Sequence, residues 1–164
     1  MNEALNINTY VADGLVKVCD VARDTENRWF YENINEAMMF SEHRSWVYFV
    51  VVDNEIVKIG ETGNPLGIRI KNSNQPKTGT EGRFGRYRIG DATDWFIRDE
   101  LRREVWEGRV TLWARQCEMV PLTVSVAGCE DSTMTSFHKD LEMRYIDYIF
   151  VQTGNLPRLN KSRK

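Results

Sequence analysis

Apolar positions along the chain change period several times, and each change marks an element. Val47 to Val52 and Ile56 to Ile59 are dense in β-branched and aromatic residues around the polar triplet Asp53-Asn54-Glu55, which predicts a two-stranded hairpin. Upstream, Asp13 to Arg23 and Asn27 to Phe40 read as two helices, the second with Trp29, Phe30, Ile34, Met38 and Phe40 in a partial helical stripe. After the hairpin, Asn64-Pro65 is a helix start, since asparagine accepts from a free amide and proline tolerates the first helical position; this short helix carries Leu66 and Arg69. The segment from Asn72 to Gly82 is polar and broken by Pro76, Gly79 and Gly82, which predicts a long loop.

Thr93 then caps a helix through Glu107, with Ile97, Leu101 and Val105 at four-residue spacing and Gly108 as its stop. Arg109 to Cys117 alternates Val110, Leu112 and Ala114 against polar or outward residues, the period of a half-buried strand. Leu122 to Ala127 adds a short fourth strand. A long helix is expected over Thr133 to Thr153, with Phe137, Leu141, Tyr145, Tyr148 and Ile149 as its apolar face and Gly154 as a left-handed cap. The remaining tail is basic and expected to be solvated. The pattern as a whole predicts an α+β domain, a small three-stranded antiparallel sheet flanked by helices, with an N-terminal helical region over 1–45 and a tail over 156–164; the core between them, 46–155, is the span of the family resemblance given below.

Length and composition fit this reading. The 164 residues suffice for one domain with a real core, and no apolar run approaches the roughly 18 residues of a spanning helix. The N-terminus lacks a basic stretch followed by an apolar core, so the expected compartment is the cytoplasm. Cys19, Cys117 and Cys129 form neither an even framework nor a Cys-x-x-Cys pair, which argues against structural disulfides and a zinc knuckle. The net charge of −2 conceals an uneven distribution. Residues 1–57 hold four basic and ten acidic side chains, whereas 58–115 hold twelve basic and eight acidic. The positive excess starts where the hairpin ends, so the acidic global balance does not exclude a nucleic-acid ligand.

Three groups suited to phosphate chemistry converge on that hairpin. Tyr48 and Lys58 fall on strands paired across the turn and share a face, and Arg69 follows on the next helix. A tyrosine hydroxyl titrates near ~10 when unperturbed, and a neighbouring ammonium favours its phenolate, which makes Lys58 the expected activator of Tyr48. Arg69 offers a planar fork for a phosphate oxygen. Taken singly, Tyr48 is a core aromatic and Arg69 a solvated charge; their spacing is what raises them above that. Arg83, Arg86, Tyr87 and Arg88, interleaved with glycines, read either as a phosphate- and base-contacting loop or as a solvated charge run.

These residues resemble the GIY-YIG endonuclease superfamily over roughly Trp46 to Asn155, about two thirds of the chain. Trp46-Val47-Tyr48 is similar to the first motif and Lys58-Ile59-Gly60 to the second, ten positions later. Two positions depart from the common pattern: Trp46 replaces a glycine and Lys58 a tyrosine. The latter resembles a subgroup of small type II restriction endonucleases, and Trp113-Ala114-Arg115-Gln116-Cys117 is similar to a segment of a T-even phage endonuclease of the superfamily.

The resemblance implies catalytic roles for Tyr48, Lys58, Arg69, Glu142 and Asn155, with Asn160 the rival for the last. It implies one Mg²⁺ or Mn²⁺ held by Glu142, and hydrolysis of DNA to leave 5′-phosphate ends. Glu61 and His138 are auxiliary candidates: Glu61 as an orienter of water or of Lys58, or a paired strand-end carboxylate; His138 as a second metal ligand or relay, or a structural histidine. Lys71, Arg83, Arg86, Arg88 and Arg115 are the expected DNA contacts, double-stranded DNA the expected partner, and a homodimer the expected assembly. Two other readings stand beside restriction: a phage or mobile-element nuclease, and a DNA-binding module on this fold that has lost cleavage.

Overall fold

The computed structural model describes residues 2–23, 29–71, 87–89, 104 and 107–161. Two short 3-10 helices, Glu3–Leu5 and Ile7–Asp13, precede β1 (Val16–Arg23), β2 (Trp29–Glu32), α1 (Glu36–Met39), β3 (Trp46–Val52), β4 (Glu55–Thr62), α2 (Leu66–Lys71), β5 (Tyr87–Ile89), β6 (Val110–Gln116), β7 (Met119–Val126), β8 (Cys129–Ser136) and α3 (His138–Thr153). β1 to β6 form one six-stranded sheet in the order β4-β3-β6-β1-β2-β5, and β7 and β8 form a separate two-stranded ribbon. All pairs are antiparallel.

The β3–β4 hairpin lies where the sequence places it. Asp53 and Asn54 both take positive φ, 46° and 71°, the two-residue turn whose twist matches the strands. Arg109 ties the turn down through an ion pair with Asp53. Every residue of β3 is buried, because helical layers cover both faces of the sheet at this point. One layer packs α1 and α2, through Met39 and Leu66, against Tyr48, Val50, Leu112 and Ala114. The other packs α3 and the N-terminal turns, through Tyr145, Ile146, Ile149, Ile7 and Tyr10, against Val47, Phe49, Val51 and Ile59.

The structure corrects several expectations. Asp13 to Arg23 is not a helix. A bulge between Lys17 and Cys19 leaves the neighbours Val18 and Cys19 both buried, with Leu15 and Val21, so Leu15, Val18 and Cys19 imitate helical spacing although the segment is a strand. Asn27 to Phe40 is divided: Trp29–Glu32 pairs with β1, Asn33 turns at φ 50°, and Asn35 caps the one-turn helix α1 by accepting from the Met38 amide. The sheet therefore has six strands rather than three, and the N-terminal residues belong to it.

The long C-terminal helix begins at His138, because Thr133 and Thr135 lie in β8 across a turn at Ala127-Gly128. Its buried face is Tyr145, Ile146 and Ile149, while Phe137 and Tyr148 are exposed. Gly154 does cap it, at φ 73°. The tail is not wholly solvated: Leu159 is buried and its amide donates to the Val57 carbonyl at 2.9 Å. The predicted helix over 93–107 and the arginine-rich loop fall almost entirely outside the described residues.

Candidate active site

β4 is an edge strand, and it brings the two layers together at its outer side. In the β3–β4 register Tyr48 faces Gly60 and Val50 faces Lys58, so Tyr48 and Lys58 do share a face, two positions apart. The Tyr48 ring lies across Gly60: a Cβ built there would collide with Tyr48 Cζ and Oη. The second-motif glycine is thus a space requirement, a flat strip of edge strand over which the phenol passes. Gly60→Ala is expected to destabilise the fold by about 1–3 kcal/mol and to cost at least about 1 kcal/mol less in a Tyr48→Ala background, as chemical denaturation would measure. Equal costs in both backgrounds would contradict the overlay.

The hydroxyl thereby reaches α2, where Arg69 donates a hydrogen bond to it. Arg69 is thus a cation that bonds the Tyr48 hydroxyl, a role the sequence expects of Lys58. The phenol is not shifted downward. Burial raises its pKa above the ordinary value, the Arg69 charge and hydrogen bond pull it back, and the carboxylates of Glu142 and Glu61 push it up again. Glu142, half-buried on α3, therefore acts on Tyr48 from the opposite layer across the β4 edge. One hydroxyl, one guanidinium and two carboxylates converge at this edge.

Glu61 and His138 are partners of each other. His138 Nε2 lies 3.2 Å from Glu61 Oε2. Ser45 donates to Ser136 at 2.6 Å, and Ser136 meets His138 Nδ1. This chain fixes the first residue of α3 to the end of β4. Glu142 follows His138 by four residues, one turn along the same helix face. His43, by contrast, is structural: its Nε2 is 2.8 Å from the Cys117 carbonyl oxygen and its ring stands edge-on to Trp46. Trp46 is buried and its Nε1 donates to the His43 carbonyl at 2.7 Å, so the tryptophan in the first motif fills the core.

The two asparagines are sharply separated. Asn155 is exposed at the end of α3 and its side chain donates to the Thr153 carbonyl at 3.2 Å. Asn160 accepts from the Ile59 amide and donates to the Ile59 carbonyl, each at 2.9 Å, so its amide stands in for a neighbouring strand on the open edge of β4. The residue that meets the Lys58-Ile59-Gly60 motif is Asn160. Asn160→Ala is expected to cost about 1–3 kcal/mol, each kcal/mol lowering Tm by about 2–4 °C, and Asn155→Ala less than about 0.5 kcal/mol, in thermal melts of the two variants. The reverse ranking would contradict the clamp.

Among the expected DNA contacts, Arg115 donates to the Tyr145 hydroxyl at 2.8 Å, on the opposite face of the sheet from Tyr48. Lys71 and Arg88 lie on α2 and β5, and Arg83 and Arg86 fall outside the described residues.

No family model matches the chain, and no curated protein matches its sequence. Solved structures do. A mutant of bacteriophage T4 EndoII aligns over 91% of this chain and 97% of its own, at 15% identity and a TM-score of 0.53. The restriction endonuclease HPY188I in complex with product DNA aligns over 98% and 88%, at 16% identity and a TM-score of 0.48. The chain shares its fold with the phage enzyme over nearly the full length of both.

Proposed function

We propose that this protein is a metal-dependent DNA endonuclease of the GIY-YIG type, a cytoplasmic type II restriction enzyme acting on double-stranded DNA as a homodimer. The observation that carries the reading is the convergence of Tyr48, Arg69 and Glu142 at the β4 edge. Those residues lie in the order and on the elements that the resemblance implies, and the fold is one that a phage endonuclease adopts.

Each group has a task its chemistry suits. Tyr48 Oη accepts the proton of the attacking water, held by Arg69 in a fixed orientation. The planar Arg69 guanidinium, with its five N–H donors, also suits a non-bridging phosphate oxygen. Hard carboxylate oxygens suit Mg²⁺ or Mn²⁺, and Glu142, with its field already directed at the Tyr48 hydroxyl, is the residue that would hold one. Such an ion supplies positive charge to the phosphate and to the 3′ oxygen that leaves. Lys58, on the same face as Tyr48, adds positive charge for the DNA backbone.

The raised pKa of Tyr48 favours a second reading, a DNA-binding module whose phenol stays protonated. Incubating the protein with plasmid and Mg²⁺ or Mn²⁺, then analysing the ends, separates the two. Cleavage to 5′-phosphate ends supports the enzyme; binding without cleavage in either metal supports the module. Discrete fragments favour restriction, and unspecific cutting favours a phage or mobile-element role.

The roles of the two cations separate as well. Arg69→Met removes the charge and hydrogen bond that pull the Tyr48 pKa down, so less phenolate is present at any given pH. Its pH–rate profile is expected to move alkaline, with a rate loss of about 10²–10³ at neutral pH. Lys58→Met should lower the rate and its salt dependence without moving the profile. A profile that shifts for Lys58 and not for Arg69 would restore the pairing read from the sequence.

A further inference from the structure

β7 and β8 form a ribbon that the rest of the described chain does not cover. Eight residue pairs run from Met119↔Ser136 to Val126↔Cys129, closed by Ala127-Gly128, both at positive φ. Residues 121–134 are exposed throughout. A two-stranded ribbon with bare faces is marginal in water and needs a second layer. Its two faces differ. Val120, Leu122, Val124 and Val126 alternate onto one face of β7, and the last three are 45%, 39% and 67% exposed. The opposite face is mixed: Thr123, Ser125, Glu130 and Ser132 at the turn end, with Pro121 and the exposed Met134 towards the base.

Charge decides against nucleic acid as the missing layer. A two-stranded ribbon has the width to enter a major groove. Residues 118–136, however, contain Glu118, Glu130 and Asp131 and no lysine or arginine, so phosphates would repel the arm. An apolar strip bordered by Cys129, Asp131, Thr133 and Thr135 has instead the dry centre and polar rim of a protein interface.

We infer that this arm is a dimerisation element, whose valine–leucine strip packs face to face on the same strip of a second copy of the chain. With the twofold axis perpendicular to the strands the stack is antiparallel, so that Val120 meets Val126 and Leu122 meets Val124. At ~3.3 Å per residue each strip is about 23 Å long, and two stacked faces bury on the order of 1,000 Å² in total, the lower bound for a specific interface. The arm by itself thus supports a dimer of modest affinity. This assignment names the surface for the homodimer proposed above and involves no catalytic residue, so each can fail without the other.

Sedimentation velocity without DNA or metal, from about 0.1 to 100 μM chain, tests it. The wild type should pass from the mass of one chain to that of two. Leu122→Lys and Val124→Glu, both at exposed positions, should each remain single chains with an unchanged circular dichroism spectrum. An equimolar mixture of the two should recover the double mass, since the ammonium introduced on one copy then faces the carboxylate introduced on the other. Thr123→Lys, on the opposite face, should dimerise as the wild type does. A wild type of single-chain mass at the highest concentration overturns the inference. So does a dimer unaffected by Leu122→Lys, a Thr123→Lys chain that dissociates, or a mixture that stays monomeric.

Discussion

Tyr48→Phe should cleave DNA about 10²–10⁴-fold more slowly than the wild type, the span that a positioned proton acceptor contributes. The substitution removes the hydroxyl and leaves the ring, which still crosses Gly60 and fills the same core volume, so the fold is expected to hold. The hydroxyl is the atom that Arg69 bonds and on which Glu142 and Glu61 act, and its loss removes the centre of the cluster. Its pH dependence carries a sign. Burial holds the phenol protonated at neutral pH, so the reactive phenolate is a minor species whose fraction rises tenfold per pH unit below its pKa. The logarithm of the single-turnover rate should therefore climb with slope near 1 from neutral into alkaline solution, and the residual Tyr48→Phe rate should lack that limb. A Tyr48→Phe protein cutting at the wild-type rate, or a flat wild-type profile, would exclude Tyr48 as the base.

The β3–β4 half of the fold was legible in the sequence because its signals are local. Asp53-Asn54 between β-branched runs dictates a tight hairpin, Asn64-Pro65 starts α2, and Gly154 stops α3; all three stand where expected. β1 was not legible, because its bulge turns a strand's period of two into a spacing that imitates a helix. β8 was not legible for the opposite reason. Exposed on both faces for most of its length, Cys129–Ser136 carries no hydrophobic period at all, and the helical pattern after it extends back over it.

At the candidate site, order along the chain proposes Tyr48, Arg69 and Glu142, while contact depends on tertiary reach. Arg69 comes round from α2 to the hydroxyl, and Lys58, ten residues from Tyr48, pairs with Val50 in the strand register. Proximity in sequence also favoured Asn155 over Asn160. A turn in which the Asn160 amide donates to the Pro157 carbonyl at 2.8 Å folds the tail back, and the more distant asparagine lands on Ile59. The role of Gly60 likewise became visible only with the Tyr48 ring above it.

Glu142 bears the heaviest demand. It is half-buried on α3, held to the sheet by Tyr145, Ile146 and Ile149, and its field reaches the Tyr48 hydroxyl from across the β4 edge. Among the described residues no cluster of three or more His, Cys, Asp or Glu side chains could hold a metal, so the ion would depend on this carboxylate, its own waters and the substrate phosphate. On the proposed single-metal reading, replacing it with alanine would remove the ion's anchor, and a loss of about 4 kcal/mol in transition-state stabilisation, roughly 10³-fold in rate, is the least to expect. The direct measurement is conversion of supercoiled plasmid by wild type and Glu142→Ala side by side in Mg²⁺, with a chelator control. The account predicts nicked and linear DNA from the wild type in Mg²⁺ alone, and intact supercoils from a folded Glu142→Ala protein. Cleavage by Glu142→Ala at the wild-type rate, or by the wild type undiminished in chelator, would contradict it.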